Sequence, residues 1–386
     1  MIVVFIVSLV YFTLKILNKD MRNLYMNSIN SIVQRLGVSS GFLCGFKNCR
    51  FVSTQVNPVK KLHGTPPHPA DVGWGGSWWV TGFTDGEGSF IINTTKSKTT
   101  KIGFSVKLIF SISMHHSDEA LLHSIKAFFK GAGHIVHTKH YVAYRVENFS
   151  EIMEHIIPHF LAYPCQSTKF INFYLFKAAA DLINKKEHLT LEGYIKLLSF
   201  KAAFKKGMEA SIFKSELFSS VVPHPQEGIF QPEDTKLPPE FIAGFWAADG
   251  SFFISRPAPS SKWPNYDATF TIAQDKRDIE LLNRMIKTLG CGKIRAGSSE
   301  MRYLTVRNKQ ELHDIILPFF TKYNINSEKH KDFINFSVAL VILYNNLGKG
   351  FDNLSQNNIN KLEHCINSIS KNRYNPISDL MTKVGL

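Results

Sequence analysis

The amino-acid sequence predicts an α+β fold in which one α-β-β-α-β-β-α half-domain occurs twice in tandem. The first reason is a recurring twelve-residue stretch: residues 79–90 read WVTGFTDGEGSF and residues 241–252 read FIAGFWAADGSF. The second is that further segment pairs follow both stretches in the same order at a nearly constant offset. The third is that helical and strand-like segments alternate in the same way within each copy.

The further pairs extend the duplication over most of the chain. They are LIFSISMHHSDEALL (108–122) with ATFTIAQDKRDIELL (268–282), GAGHI (131–135) with GCGKI (290–294), and the segments Pro158–Phe173 and Pro318–Phe333. The offset changes by only one or two residues, which suits loops. A proline-rich, polar stretch at 221–240 is typical of a linker. We therefore divide the chain into a leader (1–74), a first half (75–215), a linker (216–238) and a second half (239–386).

Each copy opens with a helix that ends at a Gly-Ser-Phe step. The first helix is predicted to begin at Ser77, a favourable N-cap residue, and the second after Pro238-Pro239, because proline suits a first helical turn. Stretches rich in Phe, Ile, Val, Thr and Ser then predict strands. These strands are Phe90–Thr94, Phe104–Ser113, Phe252–Ser255 and Ala268–Ala273.

The next predicted helices are Asp118–Lys130 and Asp278–Thr288, each opened by an acid that can cap it. A second pair of strands is expected around 134–147 in the first half and 293–307 in the second. Further helices are expected to begin near residues 150 and 310. The resulting order in each half is helix, two strands, helix, two strands, helix.

The composition favours a nucleic-acid partner. Of the 386 residues, 44% are apolar, which excludes a chain that is disordered throughout. Lysine and arginine number 45 against 31 acids, a net charge of +14, and surplus positive charge attracts phosphate. A basic organellar protein without a nucleic-acid partner would share this balance. The five cysteines form no C-x-x-C pair, so neither a disulfide framework nor a zinc site is indicated.

The leader, residues 1–74, differs from the remainder. Residues 1–14 are uninterrupted by charge until Lys15, which is short for a membrane span, and residues 21–70 contain basic residues but no acid. A mitochondrial presequence, upstream exon sequence translated in frame and a membrane anchor all remain open. We expect a mitochondrial protein, with the plastid as the alternative, and no stable membrane association.

Small residues in the duplicated motif predict that its two helices pack against each other. Gly82 and Gly86 are four residues apart, as are Gly244 and Ala248, so each pair shares one helix face. Small residues on such a face let two backbones approach closely.

That packing would bring together Glu87 and Asp249, the acids at the two helix ends. Each carboxylate faces the negative end of a helix dipole, and the two repel each other. A positive group should therefore lie between them, and Mg²⁺ suits carboxylate and carbonyl oxygens. A metal ion there could activate water for phosphodiester hydrolysis. One copy alone could be an ordinary helix stop at glycine; two copies in register favour a site.

The nonapeptides VTGFTDGEG (80–88) and IAGFWAADG (242–250) resemble the motifs of the LAGLIDADG homing-endonuclease family in its single-chain form. The resemblance extends over about residues 75–373. It implies a monomer with two pseudo-symmetric halves, whose motif helices form the interface and whose saddle-shaped antiparallel sheets enter the DNA major groove. It also implies that Glu87 and Asp249 bind metal, together with the backbone carbonyls of Gly86 and Ala248.

The resemblance implies further site residues and shows two departures. The sixth motif position, usually a structural acid, is Asp85 in the first copy but Ala247 in the second. A glutamine expected near the metals is Gln274, but its first-half counterpart is Met114, so His115 or His116 could serve there. Lys169 and Lys329 match a basic residue that could stabilise phosphate charge or position water.

DNA contacts are expected from the sheet faces, because a β-ribbon can enter the major groove. The candidates are polar or basic residues of the predicted strands and their turns, and only the group is informative. They are Asn93, Lys96, Lys98, Lys101, Lys107, Ser255, Arg256, Lys262, Arg295, Arg302 and Arg307.

Three functions fit this family. The first is a metal-dependent endonuclease that cuts both strands of a long, non-palindromic DNA site and so promotes intron homing. The second is a maturase that assists the splicing of its own group I intron RNA, with or without cleavage. The third is a degenerate DNA-binding regulator, which would have lost an acid. The retention of both Glu87 and Asp249 favours the nuclease.

Overall fold

Both halves have the same order of helices and strands, as the duplicated sequence predicts. The computed structural model describes residues 76–204, 221–258, 265–298, 300–349 and 351–369, all within one compact unit, Gly64–Leu386. The predicted leader (1–74) and the DNA-contact candidate Lys262 lie outside the described residues.

The first half begins with the motif helix. Its elements are α1 Gly76–Glu87, β1 Gly88–Lys96, β2 Phe104–Met114, α2 Glu119–Phe128, β3 His134–His137, β4 Val142–Val146, α3 Phe149–Glu151, α4 Ile157–Ala162, α5 Lys169–Asn184 and α6 Leu191–Ala202. The second half repeats them. Its elements are α7 Pro239–Asp249, β5 Gly250–Ser255, β6 Asp267–Asp275, α8 Ile279–Leu289, β7 Lys293–Ala296, β8 Met301–Val306, α9 Lys309–Glu311, α10 Leu317–Lys322, α11 Lys329–Asn345 and α12 Gln356–Ser368.

Proline shapes the same helix in both halves. A π-helical turn joins α3 to α4 at Ile152–Ile156, and another joins α9 to α10 at Leu312–Ile316. Pro158 and Pro318 follow these turns at the start of α4 and α10. Because proline has no N–H for the α-helical ladder, the helix changes its hydrogen-bond register beside it.

Each half contains a four-stranded antiparallel sheet, in the order β1-β2-β4-β3 and β5-β6-β8-β7. Side chains alternate between the two faces of a strand. The inner face carries an aromatic cluster that recurs at equivalent positions. In the first half Phe90 packs against Phe110, Phe160, Phe173 and Phe176. In the second, Phe252 packs against Phe270, Phe320, Phe333 and Phe336.

The two motif helices pack against each other with their backbones in contact, as the small residues predict. A Cβ atom placed on Gly82 would lie 2.1 Å from the carbonyl oxygen of Phe241, and one on Gly244 would lie 2.1 Å from that of Trp79. A side chain at either position would therefore collide with main chain. The glycines set the distance between α1 and α7, and with it the distance between the ends of the two helices.

Three predicted helix caps are wrong, although each of these helices begins within one residue of its predicted start. Ser77 is the second residue of α1 rather than its cap, whereas Pro239 does open α7. Asp118 and Asp278 precede α2 and α8, but neither side chain caps its own helix. Each carboxylate instead accepts a backbone hydrogen bond from the opposite half: Asp118 from Glu328, and Asp278 from Thr168.

Within the described part of the chain, no helix has both the length and the apolar character needed to cross a membrane.

Candidate active centre

The packed motif helices bring Glu87 and Asp249 to one place. Glu87 is the last residue of α1, and Asp249 is the last residue of α7. A Cβ atom on Gly86 would lie 2.2 Å from the Ala248 Cβ and 3.3 Å from Asp249 Oδ2, so the two helix ends nearly touch. Burial raises the pKa of both carboxyls, and the negative charge of Asp249 raises that of Glu87 further. Two half-buried carboxylates that repel each other attract a cation strongly.

Lys169 and Lys329 reach the same place from the first residue of α5 and α11. Lys169 Nζ donates to the carbonyl oxygens of Thr84 (2.9 Å) and Gly86 (2.8 Å). Lys329 Nζ donates to those of Ala248 and Gly250, the latter at 3.0 Å. Both ammonium groups offset the rise in the pKa of Glu87 and Asp249. They also neutralise the negative ends of the motif helices.

The carbonyls of Gly86 and Ala248, which the family resemblance assigns to the metal, thus each accept a hydrogen bond from a lysine. A carbonyl oxygen has two lone pairs, so it can also serve as a metal ligand. Within the described residues, no cluster of three or more His, Cys, Asp or Glu side chains could hold a metal ion. The available metal ligands are two carboxylates and main-chain carbonyl oxygens, a set that suits a hard divalent cation such as Mg²⁺.

The two sides of the centre differ at the strand that approaches each acid. Gln274, near the end of β6, donates from Nε2 to Asp249 Oδ2 at 2.7 Å. Its counterpart Met114 ends β2 and packs partly buried against the apolar core. His115 lies at the exposed end of that strand, where its Nδ1 accepts a hydrogen bond from the Ser117 amide. Gln274 therefore orients one carboxylate, and no equivalent amide exists at Met114.

The buried acid Asp85 lies two residues before Glu87 in α1. It accepts hydrogen bonds from the backbone N–H groups of Gln166 (2.7 Å) and Ser167 (3.0 Å) and from the Ser167 hydroxyl. Burial raises its pKa despite Lys169 nearby. In the second half Ala247 offers no acceptor, and the buried Ser327 hydroxyl has no hydrogen-bond partner. Asp85 therefore fixes the loop before α5, which fits the structural role expected for it.

The outer faces of the two sheets carry many of the DNA-contact candidates. Strand register places Asn93 beside Lys107 and, in the other sheet, Arg295 beside Tyr303. Ser255 and Arg307 share this outer face, whereas Lys98 and Lys101 are exposed in the turn between β1 and β2. Some of these cations have acidic neighbours: Lys107 pairs with Glu147, and Arg307 lies 3.7 Å from Asp267.

Three candidates lie elsewhere. Lys96 and Arg302 fall on the inner-face register of their strands, and Arg302 stands opposite Gln274, near the acids. Arg256 is held by Glu363 (2.8 Å) and Asn367 (3.0 Å) of α12. For these three, DNA contact stays a prediction, although they do not share the outer-face register of the other candidates.

The sequence reasoning missed other residues of the outer faces. Arg145 of β4 and Lys293 of β7 share the outer-face register. Ile91 and Phe253 occupy equivalent outer positions and expose 38% and 43% of their surface. Strict alternation along each predicted strand would have identified all four. The hydrogen bonds that Asp118 and Asp278 make across the two halves had no signal in the sequence.

Comparison with known proteins gives consistent results. A family model described as "LAGLIDADG endonuclease" matches residues 80–180 and 242–340. A protein of Neurospora crassa called "Probable intron-encoded endonuclease 2" is 29% identical over 83% of this chain and 71% of its own length.

Solved structures are similar as well. The I-SmaMI LAGLIDADG homing endonuclease bound to cleaved DNA is 32% identical with a TM-score of 0.71, over 77% of this chain and 97% of that one. I-SmaMI bound to an uncleaved DNA target in the presence of calcium ions has the same identity and TM-score over 76% and 99%.

Proposed function

The chain belongs to the LAGLIDADG endonuclease family, and from that membership we propose that it is a site-specific endonuclease that cuts both strands of a DNA target. The observation that carries the proposal is the meeting of Glu87 and Asp249, one from each half, between two lysines at the ends of the packed motif helices. The DNA-bound structures of the similar endonuclease I-SmaMI support DNA as the substrate.

We propose divalent-metal dependence, with Mg²⁺ as the natural ion. Glu87 and Asp249 would hold the ion with the carbonyl oxygens of Gly86 and Ala248. A bound ion supplies Lewis acidity, which activates water and stabilises the leaving oxygen of a phosphodiester. The structure of I-SmaMI on uncleaved DNA in the presence of calcium ions supports a divalent cation of this kind.

The side chains around the acids have separate proposed roles. Lys169 and Lys329 carry positive charge close to both carboxylates, where it would also stabilise the phosphate charge that develops during cleavage. Gln274 holds Asp249 in one orientation through its Oδ2 atom. Burial keeps these charges in a medium of lower dielectric constant than water, which strengthens their interactions.

The target is proposed to be long and non-palindromic, because the two outer faces differ at equivalent positions. Ile91 corresponds to Phe253 and Asn93 to Ser255 along the first strands of the two sheets. Different side chains contact different base edges in the major groove. The basic, acid-free composition of residues 21–70 supports the proposed mitochondrial localisation.

Cleavage of the uninterrupted insertion sequence of its own intron tests the proposal. With Mg²⁺ we expect cuts in both strands. The combined Glu87→Gln and Asp249→Asn variant should retain DNA binding and cleave more slowly by at least about a thousandfold, since losing one such electrostatic group already costs ~10²–10³. Cleavage by this variant at close to the wild-type rate would make the metal assignment wrong. Absence of cleavage with faster splicing of the group I intron RNA would establish the maturase instead.

A further inference from the structure

We propose that Asp118 and Asp278 are reciprocal positioning residues, each carried by one half and each ordering the loop that presents the active-centre lysine of the other half. The proposal rests on the proposed nuclease function, because its consequence concerns strand cleavage. It assigns a role across the interface to two acids that, by sequence, belong to the starts of their own helices.

The contacts are direct and nearly symmetric. Asp278 Oδ1 accepts the backbone N–H of Thr168 at 2.7 Å, and its Oδ2 accepts the Thr168 hydroxyl at 3.1 Å. Asp118 Oδ1 accepts the backbone N–H of Glu328 at 2.9 Å. Thr168 and Glu328 directly precede Lys169 and Lys329. Each acid thus fixes the residue from which an active-centre lysine begins its helix.

The burial of the two acids indicates that these contacts are specific. Asp118 and Asp278 are each only 7% exposed. Burying a carboxylate is costly unless hydrogen bonds and positive dipoles compensate for lost water. The N-terminal N–H groups of α5 and α11 supply both. A cap for α2 or α8 could have stayed in solvent at lower cost, and neither acid forms one.

The positions of Thr168 and Glu328 determine where the Lys169 and Lys329 ammonium groups lie in the catalytic centre. Lys169 spans from its backbone beside Thr168 to the carbonyls of Thr84 and Gly86, at the end of the motif helix. A displacement of about 1 Å at a catalytic group can reduce the rate about a hundredfold. Loosening the loop would therefore misplace the ammonium group without removing it.

The two loops are not held equally. The loop before Lys169 is also held by Asp85, and its Gln166 side chain accepts a hydrogen bond from Arg284 at 2.8 Å. The loop before Lys329 has Ala247 where the first half has Asp85, and its buried Ser327 hydroxyl is unpaired. We therefore expect the loss of Asp118 to have the larger effect.

Strand-resolved cleavage tests the proposal, with each strand of the cleavable duplex labelled separately. Lys169→Ala and Lys329→Ala first define which strand depends on each lysine. Asp278→Ala should shift the ratio of strand cleavage rates in the same direction as Lys169→Ala, by about tenfold. Asp118→Ala should shift it in the direction of Lys329→Ala, and further. Glu280→Ala, an exposed acid in the first turn of α8, should leave the ratio unchanged.

The conservative variants separate positioning from loss of charge. Asp278→Asn and Asp118→Asn keep a carbonyl oxygen that can accept the same backbone N–H, so both should restore the wild-type strand ratio. Three results would overturn the proposal. In the first, the ratio of strand cleavage rates shifts in the direction set by the lysine of the acid's own half. In the second, all aspartate and lysine variants slow the cleavage of both strands equally. In the third, the asparagine variants do not restore the wild-type ratio.

Hydrogen-exchange mass spectrometry gives a readout that needs no DNA. Asp278→Ala should deprotect the amides around Thr168, and Asp118→Ala those around Glu328, each in the opposite half. Deprotection confined to the first turn of α2 or α8 would show that the acids serve their own helices, and the proposal would be wrong. A wild-type protein that cuts no DNA but shows the expected exchange pattern would refute the nuclease function and leave the contacts across the halves intact.

Discussion

At the scale of single residues, Ser167 and Ser327 occupy equivalent positions in the two halves, but only the Ser167 hydroxyl has a hydrogen-bond partner. The Ser167 hydroxyl donates to Asp85, whereas the Ser327 hydroxyl is buried without a partner. Removing one partner of a buried hydrogen bond to a charged group costs about 1.5–3 kcal/mol. We expect Ser167→Ala to lower the free energy of unfolding by about that amount and Ser327→Ala to leave it unchanged or raise it. Equal losses in urea unfolding would contradict this difference.

Glu87 should show a conflict between function and stability. Burial and Asp249 hold its folded pKa above the ordinary value, so the ionised carboxylate destabilises the metal-free folded state near neutral pH. Glu87→Gln should therefore raise the Tm of the metal-free protein at pH 7 while slowing cleavage by about a hundredfold to a thousandfold. The gain should shrink as pH falls through the raised pKa, because the wild-type carboxyl then becomes protonated.

Addition of Mg²⁺ provides the control for this variant. A ligand that binds only the folded state stabilises it by an amount that grows with the logarithm of ligand concentration above Kd, so Mg²⁺ should raise the Tm of the wild type. Glu87→Gln with Asp249→Asn should respond little. A wild-type Tm that ignores Mg²⁺, or a Glu87→Gln protein less stable than the wild type at pH 7 without metal, would refute the assigned electrostatics.

The duplicated motif predicted that Glu87 and Asp249 meet, because small residues four apart show which faces of the two motif helices pack together. It did not locate the role of Asp118 or Asp278. An acid before a helix is usually a local cap, and nothing local indicates that its acceptor atoms lie against a loop of the other half. Contacts between distant segments depend on the assembled fold, which spacing in one half does not encode.

At the scale of the elements, the contact between α1 and α7 depends on two glycines. Replacing a helical glycine by alanine ordinarily stabilises a helix by about 1 kcal/mol. Here the new Cβ atom would lie 2.1 Å from a main-chain oxygen, and overpacking of this kind costs about 1–3 kcal/mol. Gly82→Ala and Gly244→Ala should therefore destabilise the protein and separate the acids, which would also slow cleavage.

Ser124→Ala, on the exposed side of α2, is a suitable control and should change stability by no more than about 0.5 kcal/mol. Denaturant unfolding followed by circular dichroism measures both. A stabilised Gly82→Ala protein would mean that the helices are farther apart than this geometry requires.

The strands were predictable because segments rich in Phe, Ile, Val, Thr and Ser recur at matching positions in the two copies. The π-helical turns at Ile152–Ile156 and Leu312–Ile316 were not predicted. They follow from Pro158 and Pro318, whose effect on hydrogen-bond register becomes evident only once a helix is known to continue past them.

At the scale of the whole molecule, the duplication has produced two similar halves around an unequal centre. Asp249 is oriented by Gln274, whereas the equivalent strand position in the first half is occupied by Met114, which has no amide. Asp85 has no counterpart in the second half, where Ala247 takes its place. Sequence comparison of the halves identifies these differences, but only the structure shows that they lie around one site.

This asymmetry predicts that the two DNA strands are cut at different rates. A supercoiled plasmid carrying the target should therefore pass through a nicked form before it becomes linear. Gln274→Met removes the hydrogen bond to Asp249 and should slow one strand by about tenfold, since orienting contacts of this kind are worth about 1–2 kcal/mol. Met114→Gln provides an amide at the equivalent position and should bring the two strand rates closer. Equal cleavage rates for the two strands in the wild type would show that the two halves act as one undivided centre. The same would follow if Gln274→Met slowed the cleavage of both strands equally.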